Sequence, residues 1–440
     1  MSFLRYGAYK ESGVEWLGEV PAHWRCDPIK AVASCNDEVL AETTPPEFEM
    51  QYVEISDVEH GLGICASSTV LFGDAPSRAR RRVRDGDVIV STVRTYLKAI
   101  APVIRPPGNL IVSTGFAVIR PRAAHSRFLG YLVASDYVVA EVISRSVGVS
   151  YPAINASEVM GIRVPLPPLP EQPAIAVFLD RETAKIDALV AEQQRLIALL
   201  KEKRQAVISH AVTKGLDPNA PMKDSGVEWL GNVPAHWEVL RIGACFSEAN
   251  ETGDDSLPIL SVSIHDGVSD RELVEEELDR KVARSDDKSK YKKVLPGDLV
   301  YNMMRAWQGG FGTVVVNGMV SPAYIVARPA RPISTEIIEH TLRTPHAVEE
   351  MRRHSRGITD FRLRLYWEEF KQISIPLPPM SEQVKILSYI ADETGKFDRL
   401  SAEAESAIAL LQERRSALIS AAVTGKIDVR GVASLAAEAA

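Results

Sequence analysis

The chain has 440 residues, 45% hydrophobic and 25% charged, with a formal net charge of −7. That length exceeds one ordinary core and predicts two or more domains. No apolar run reaches the 18 residues a membrane span needs. Met1–Gly13 lacks the apolar core of a signal peptide, and Cys26, Cys35, Cys65 and Cys245 stand far apart without zinc spacing, so reduced thiols in a cytoplasmic protein are expected. The acidic balance argues mildly against nucleic acid, but the distribution of charge matters more than its sum.

The first element in chain order is SGVEWLGEVPAHW at Ser12–Trp24. It returns as SGVEWLGNVPAHW at Ser225–Trp237 with one change, Glu19 against Asn232. Trp16 and Trp24, expected to be buried, with Pro21 fixing a turn, suit an anchor that seats a head. Phosphate contact from His23 or His236 is the alternative. Next comes SRARRRVR at Ser77–Arg84, where Arg78, Arg80, Arg81, Arg82 and Arg84 fall within seven residues, a basic run expected to contact DNA phosphates, with a solvated face as the alternative. Gly86–Val93 and Asn109–Pro121 are β-branched runs bounded by turn formers and read as strands. Asp87 reads as a turn former rather than a metal ligand. Arg94, Tyr96 and Lys98 follow the first of these strands and are candidate DNA contacts. Ser126–Ile143 reads as a helix. PLPPLPEQ at Pro165–Gln172 cannot be helical and predicts a stiff extended strap before a long helix.

The same plan then repeats about 211 residues on. Gly297-Asp298, Arg305, PLPPMSEQ at Pro376–Gln383 and Ala422–Thr424 stand 211 residues after Gly86-Asp87, Arg94, Pro165–Gln172 and Ala211–Thr213. Gly318–Pro329 reads as strand, and Ser334–Arg353 as helix with a break at Pro345. Arg305 likewise has polar or aromatic neighbours, Trp307 and Gln308. Lys288, Lys290, Lys292 and Lys293 answer the arginine run, Arg356, Arg362 and Arg364 lie in a second basic stretch, and both are expected to contact DNA phosphates. Arg and Gln side chains can read guanine and adenine edges. Ser146–Met160 and Ser355–Phe370 hold equivalent places but share little, so each head is expected to read a different sequence.

In the first long helix Ile175, Leu179, Ile186, Leu189, Leu196, Leu200 and Val207 follow a heptad seam. Ile386, Ile390, Phe397, Leu400, Leu411 and Leu418 follow it in the second, and the two helices are expected to pair. Each spans roughly 60 Å, whereas a 150-residue domain has a radius of gyration of only about 15 Å. The second helix must then start near the end of the first, which makes the pair antiparallel. The predicted class is α+β: two pseudo-two-fold related, strand-rich α/β heads joined by two long antiparallel coiled-coil helices. The expected divisions are 1–164 and 219–375 for the heads, 165–218 and 376–430 for the helices, and 431–440 for a tail.

Two heads on a spacer suit a two-part DNA target. No P-loop, HExxH or amino-methyltransferase motif occurs. An enzyme with an unrecognised nuclease or methyltransferase site and a coiled-coil adaptor without a DNA role stay open as rivals.

The repeated WLGEVPAHW and WLGNVPAHW, the two Gly-Asp-strand-Arg stretches, the two PLPP-EQ straps and the helix ends VISHAVTKGLD (Val207–Asp217) and LISAAVTGKID (Leu418–Asp428) together resemble the specificity (S) subunit of Type I restriction-modification systems. The resemblance covers nearly the whole chain. It implies that each head is a target recognition domain reading one half of a bipartite double-stranded DNA site, and that the paired helices set the unread spacer. It further implies binding of two modification subunits that methylate adenine at N6 with S-adenosylmethionine. Restriction subunits driven by ATP with Mg would join them. This chain would hold no catalytic residue, cofactor or metal of its own.

Overall fold

The computed structural model describes residues 4–15, 17–254, 256–264, 267–273, 290–357 and 363–431. The chain forms two compact units, residues 1–194 with 405–440, and residues 195–404. Each unit thus contains one head together with one part of each long helix.

In the first unit a four-stranded antiparallel sheet runs in the order Ile100–Pro102, Val88–Ser91, Phe116–Pro121, Ala33–Cys35. Its central strand, VIVS, is buried on both faces. Alternation explains how. Val88 and Val90 enter a core with the helices Ser126–Val133 and Asp136–Ser144, whereas Ile89 enters a separate core with Val53, Val112 and Val118. A second sheet lies beyond Ile89, ordered Ser68–Leu71, Glu49–Val53, Leu110–Ser113, Ala79–Arg82, with one parallel pair. The second unit repeats the first sheet with the order Phe311–Thr313, Leu299–Asn302, Tyr324–Pro329, Phe246–Glu248. Leu299 and Tyr301 face one core and Val300 the other.

The helix expected over Ser126–Ile143 is two helices, broken at Ala134–Ser135. The Ser135 hydroxyl donates to the Leu132 carbonyl at 2.6 Å and closes the first helix locally. Its counterpart breaks at Thr344, where Pro345 opens the second helix as an N-terminal proline should.

Both Gly-Asp turns serve the same purpose. Gly86 (φ 84°) and Gly297 (φ 91°) take the left-handed conformation the turn requires. Asp87 accepts the Arg84 amide at 2.8 Å and, through both oxygens, the Arg120 guanidinium at 2.9 and 2.7 Å. Asp298 accepts the Leu295 amide at 2.9 Å and Arg328 at 3.0 and 2.9 Å. The carboxylates are turn formers, and each is also filled by an arginine.

The straps are extended. Arg163–Leu166 and Ser374–Leu377 pair antiparallel with Arg25–Pro28 and Glu238–Arg241, the strands that directly follow each PAHW. This brings the two repeated motifs of each half together. Glu171, 7% exposed, accepts from Tyr6, from His23 Nε2 at 2.9 Å and from Trp24 Nε1 at 3.3 Å. Glu382, 211 residues later, accepts from His236 at 2.8 Å and Trp237 at 3.0 Å. The neighbouring glutamines tie strap to head. Gln172 donates to the Pro167 carbonyl at 3.0 Å and accepts the His125 amide at 2.8 Å; Gln383 does the same with Pro378 and Ser334 at 2.8 and 2.9 Å. Burial and the Glu171 hydrogen bond push the Tyr6 hydroxyl well above its usual range. Trp24 and Trp237 are fully buried, so the anchor reading holds for both; Trp16 lies outside the described residues.

The long helices span Gln172–Lys214 and Met380–Val423. Within the first unit, Ile175 and Leu179 near the start of one pack with Ile419, Ala422 and Val423 near the end of the other. Within the second, Ala211 and Val212 pack with Ile386 and Ile390. The contacting segments are antiparallel in both. Arg415 Nε meets Asp187 at 2.8 Å in the first unit, and Arg204 Nη1 meets Asp398 at 2.5 Å in the second. Asp398 and Arg415 stand 211 residues after Asp187 and Arg204, so one ion pair occurs twice.

The seam itself is corrected by one position in alternate steps. Leu189, Leu196 and Leu400 are 46%, 42% and 45% exposed, and the more covered residues beside them are Val190, Ile197 and Ser401. Ile175, Leu179, Ile186, Leu200, Ile386, Ile390 and Phe397 are buried as expected, and Val207, Leu411 and Leu418 are half-buried. The seam, however, admits small residues such as Thr183 and Ala404, both under 5% exposed, where the helices pack.

Trp24→Ala or Trp237→Ala should cost about 3–5 kcal/mol, read as a shifted urea transition of the unit that carries it. Arg120→Met strands the Asp87 carboxylate, which is 1% exposed, and should cost about 3–5 kcal/mol by the same measurement.

Candidate nucleic-acid interface

The central strand of each head ends in a turn that presents cations. In head one the Thr92 amide and hydroxyl both donate to the Gly115 carbonyl, at 2.8 and 2.9 Å, fixing where the strand stops. A 3-10 turn, Thr95–Leu97, follows. Arg94 (φ 51°) and Lys98 (φ 52°) flank it, both left-handed. Such backbone costs about 1–3 kcal/mol per residue and concentrates at functional sites. Both side chains are exposed, and neither has an acidic partner among the described residues. Tyr96 beside them is 53% exposed. The Arg94 guanidinium lies 5.1 Å from the centroid of the Tyr151 ring. Tyr151 was not singled out from the sequence; the signal available was its place in Ser146–Met160, where the two halves diverge.

In head two the turn is Ala306–Gln308. Arg305 has ordinary φ (−135°), and Gly309 (φ 91°) takes the place of Lys98. Gln308 is exposed, Arg305 half-buried. Trp307 packs against the rim of the core, with the Arg352 guanidinium 5.8 Å from its ring, and its buried Nε1 has no hydrogen-bond partner among the described residues. Trp307 is therefore held largely inside the head.

The arginine run is split by strand geometry. Ala79–Arg82 pairs with Leu110–Ser113 on one side, and Val39 bridges Arg81 on the other, so alternate side chains point to opposite faces. Arg81 is half-buried, and burial pulls its pKa below the ordinary value. Arg80 lies 4.6 Å from the Phe72 ring centroid. Arg78 sits 3.6 Å from Glu54, and Arg84 pairs with Glu38 at 2.5 Å. Arg82 is exposed without an acidic partner among the described residues. The run is thus not one basic patch.

Lys288 and Arg362 lie outside the described residues. Lys290 is exposed and Lys293 half-buried. Lys292 is 4.0 Å from Glu248, and burial lowers its pKa. Arg356 is paired with Glu369, and Arg364 is exposed, its backbone bridged to Arg356 in both directions at 2.9 Å.

Residues 79–198 match the family model described as the Type I restriction modification DNA specificity domain. The specificity subunit of the Type I restriction enzyme EcoKI, from Escherichia coli K12, is 25% identical over 328 residues, 71% of this chain and 68% of that one. Over most of its length the chain is therefore similar to a Type I specificity subunit. A putative subunit of the MjaX enzyme, from Methanocaldococcus jannaschii, is 25% identical over 53% of this chain and 56% of its own length. The EcoBI subunit, from E. coli, is 25% identical over 61% of this chain and 59% of its own. Among solved structures, a chain of a type I R-M system matches with a TM-score of 0.62 at 24% identity, over 93% of this chain and 99% of that one. The HsdS subunit of Thermoanaerobacter tengcongensis matches with a TM-score of 0.50 at 24% identity, over 93% and 98%. These two likenesses concern the fold. The matched specificity domain contains the arginine strand, the Arg94 turn, Tyr151 and the strap. No helix among the described residues is long and apolar enough to cross a membrane.

Three outcomes follow from the placement of the cations. Arg94→Gly should leave thermal stability unchanged or raise it by up to about 1 kcal/mol, because glycine adopts this backbone freely, while weakening DNA binding. Arg82→Gln should lower the slope of log affinity against log salt by about 0.9 if it meets one phosphate. Arg81→Gln should act on the melting temperature instead.

Proposed function

We propose that this chain directs Type I methylation and restriction to a bipartite DNA site, each head reading one half-site and the long helices setting the spacer. What carries the reading is the exposed, strained Arg94 turn within a matched DNA specificity domain, in a chain whose plan is written twice. Arg94, Tyr96 and Lys98 would contact one half-site, and Arg305 and Gln308 the other. Two modification subunits with S-adenosylmethionine, and restriction subunits using ATP and Mg, would supply the chemistry, and this chain would supply none. Asp87 and Asp298, the carboxylates of the two Gly-Asp turns, are each paired with an arginine, which favours a structural role for them over a catalytic one.

The test is a methylome. This chain is co-expressed with the modification subunit encoded nearest to it, and N6-methyladenine is mapped genome-wide. A bipartite motif that disappears with this gene is the expected result. Absence of methylation from a complex shown to assemble would overturn the proposal. Deleting one heptad from both helices should change the spacer and leave both half-sites intact; altered half-sites at constant spacing would contradict the assigned role of the helices.

A further inference from the structure

Beside the Arg94 turn stands a crest of exposed apolar side chains. Val149 is 102% exposed, Val147 80%, Tyr151 66% and Leu97 42%. Exposed apolar groups scattered singly need no explanation, but a contiguous group marks a binding surface. This crest is also held in place. Val147 and Val93 both bridge to Ala153, the Ile154 amide donates to the Thr92 carbonyl at 2.9 Å, and the Thr95 hydroxyl donates to Ser146 at 2.7 Å. Gly148, at φ 122°, makes the tight turn beneath Val149; a β-carbon there would come within 3.1 Å of the Tyr151 carbonyl.

We propose that this crest is a base-reading element of the first head, and that Val147 and Val149 read the 5-methyl group of thymine. The inference rests on the DNA-specificity reading above and names residues and a base for it. Three observations select DNA as the occupant. Exposed Arg94 and Lys98 border the crest without acidic partners among the described residues, so it carries the charge that a phosphate-lined groove demands. The tethers tie it directly to the strained turn. Its chemistry, branched apolar methyls beside a guanidinium, matches a major-groove edge on which a thymine methyl adjoins the acceptors of guanine. Tyr151 acts as a positioning residue: its ring supports the Arg94 guanidinium, 5.1 Å from its centroid.

The test removes only methyl groups. The full chain is purified with its modification subunit and titrated with a duplex carrying the methylome-defined site, in which each thymine of the first half-site is replaced singly by uracil. Hydrogen-bonding edges and phosphates are unchanged. At one or two positions affinity should fall roughly three- to tenfold. Val149→Ala should lower affinity for the thymine duplex and abolish the difference between thymine and uracil. Val147→Thr, an isosteric change, guards against loss of fold, and Tyr151→Phe should behave as the parent. Three results would overturn the inference while leaving the specificity reading intact: a half-site without thymine, uracil tolerated throughout, or crest variants that lose the modification subunit and keep the methyl preference. A parent complex that binds no duplex would overturn both.

Discussion

A glutamate at the start of each long helix, buried in the first half and half-buried in the second, is the contact on which the rest depends. Glu171 and Glu382 collect the indole and imidazole donors of the PAHW motif that precede them by about 145 residues. A buried carboxylate is costly unless its oxygens are satisfied, so the head can close on its helix only in the arrangement that supplies those donors. The next residue, Gln172 or Gln383, then fixes the strap against the first helix of the head. Two consecutive polar residues thereby set where the head ends and in which direction the helix leaves it.

From that mount outward, each layer of the head restricts the next. The central strand is buried on both faces and cannot slip register without turning Val88 and Val90 away from the helices. Its end therefore delivers Arg94 or Arg305 to a fixed place. The polar chemistry of the interior goes into arginine–aspartate pairs, while the turn of the first head presents Arg94 and Lys98, exposed and without acidic partners among the described residues. Position is dictated by the scaffold, whereas what is read is left to a few exposed side chains and the divergent segment after the second helix of the head.

The repeat, the strands after each Gly-Asp turn and the antiparallel helices were legible in the sequence because they follow from period, punctuation and chain length. The seam was off by one in alternate steps because apolar size marks Leu189 and Leu196 as strongly as the helix geometry marks Val190 and Ile197. The arginine run misled for a related reason: five cations in seven residues look like one patch, but a strand throws successive side chains to opposite faces, and Glu38, Glu54 and Phe72 come from elsewhere in the chain. Tyr151 could not be found at all from its spacing, since its partner Arg94 lies 57 positions away.

The matching turns of the two heads meet one backbone demand by opposite thermodynamic routes. Head one holds Lys98 in a left-handed conformation that resists it, which is chiefly an enthalpic burden on a chain with few other choices. Head two puts Gly309 there, which fits without strain but brings a larger loss of freedom whenever the turn becomes ordered. Warming should therefore loosen the second turn before the first, so that two copies of a single design engage their targets with different temperature dependence.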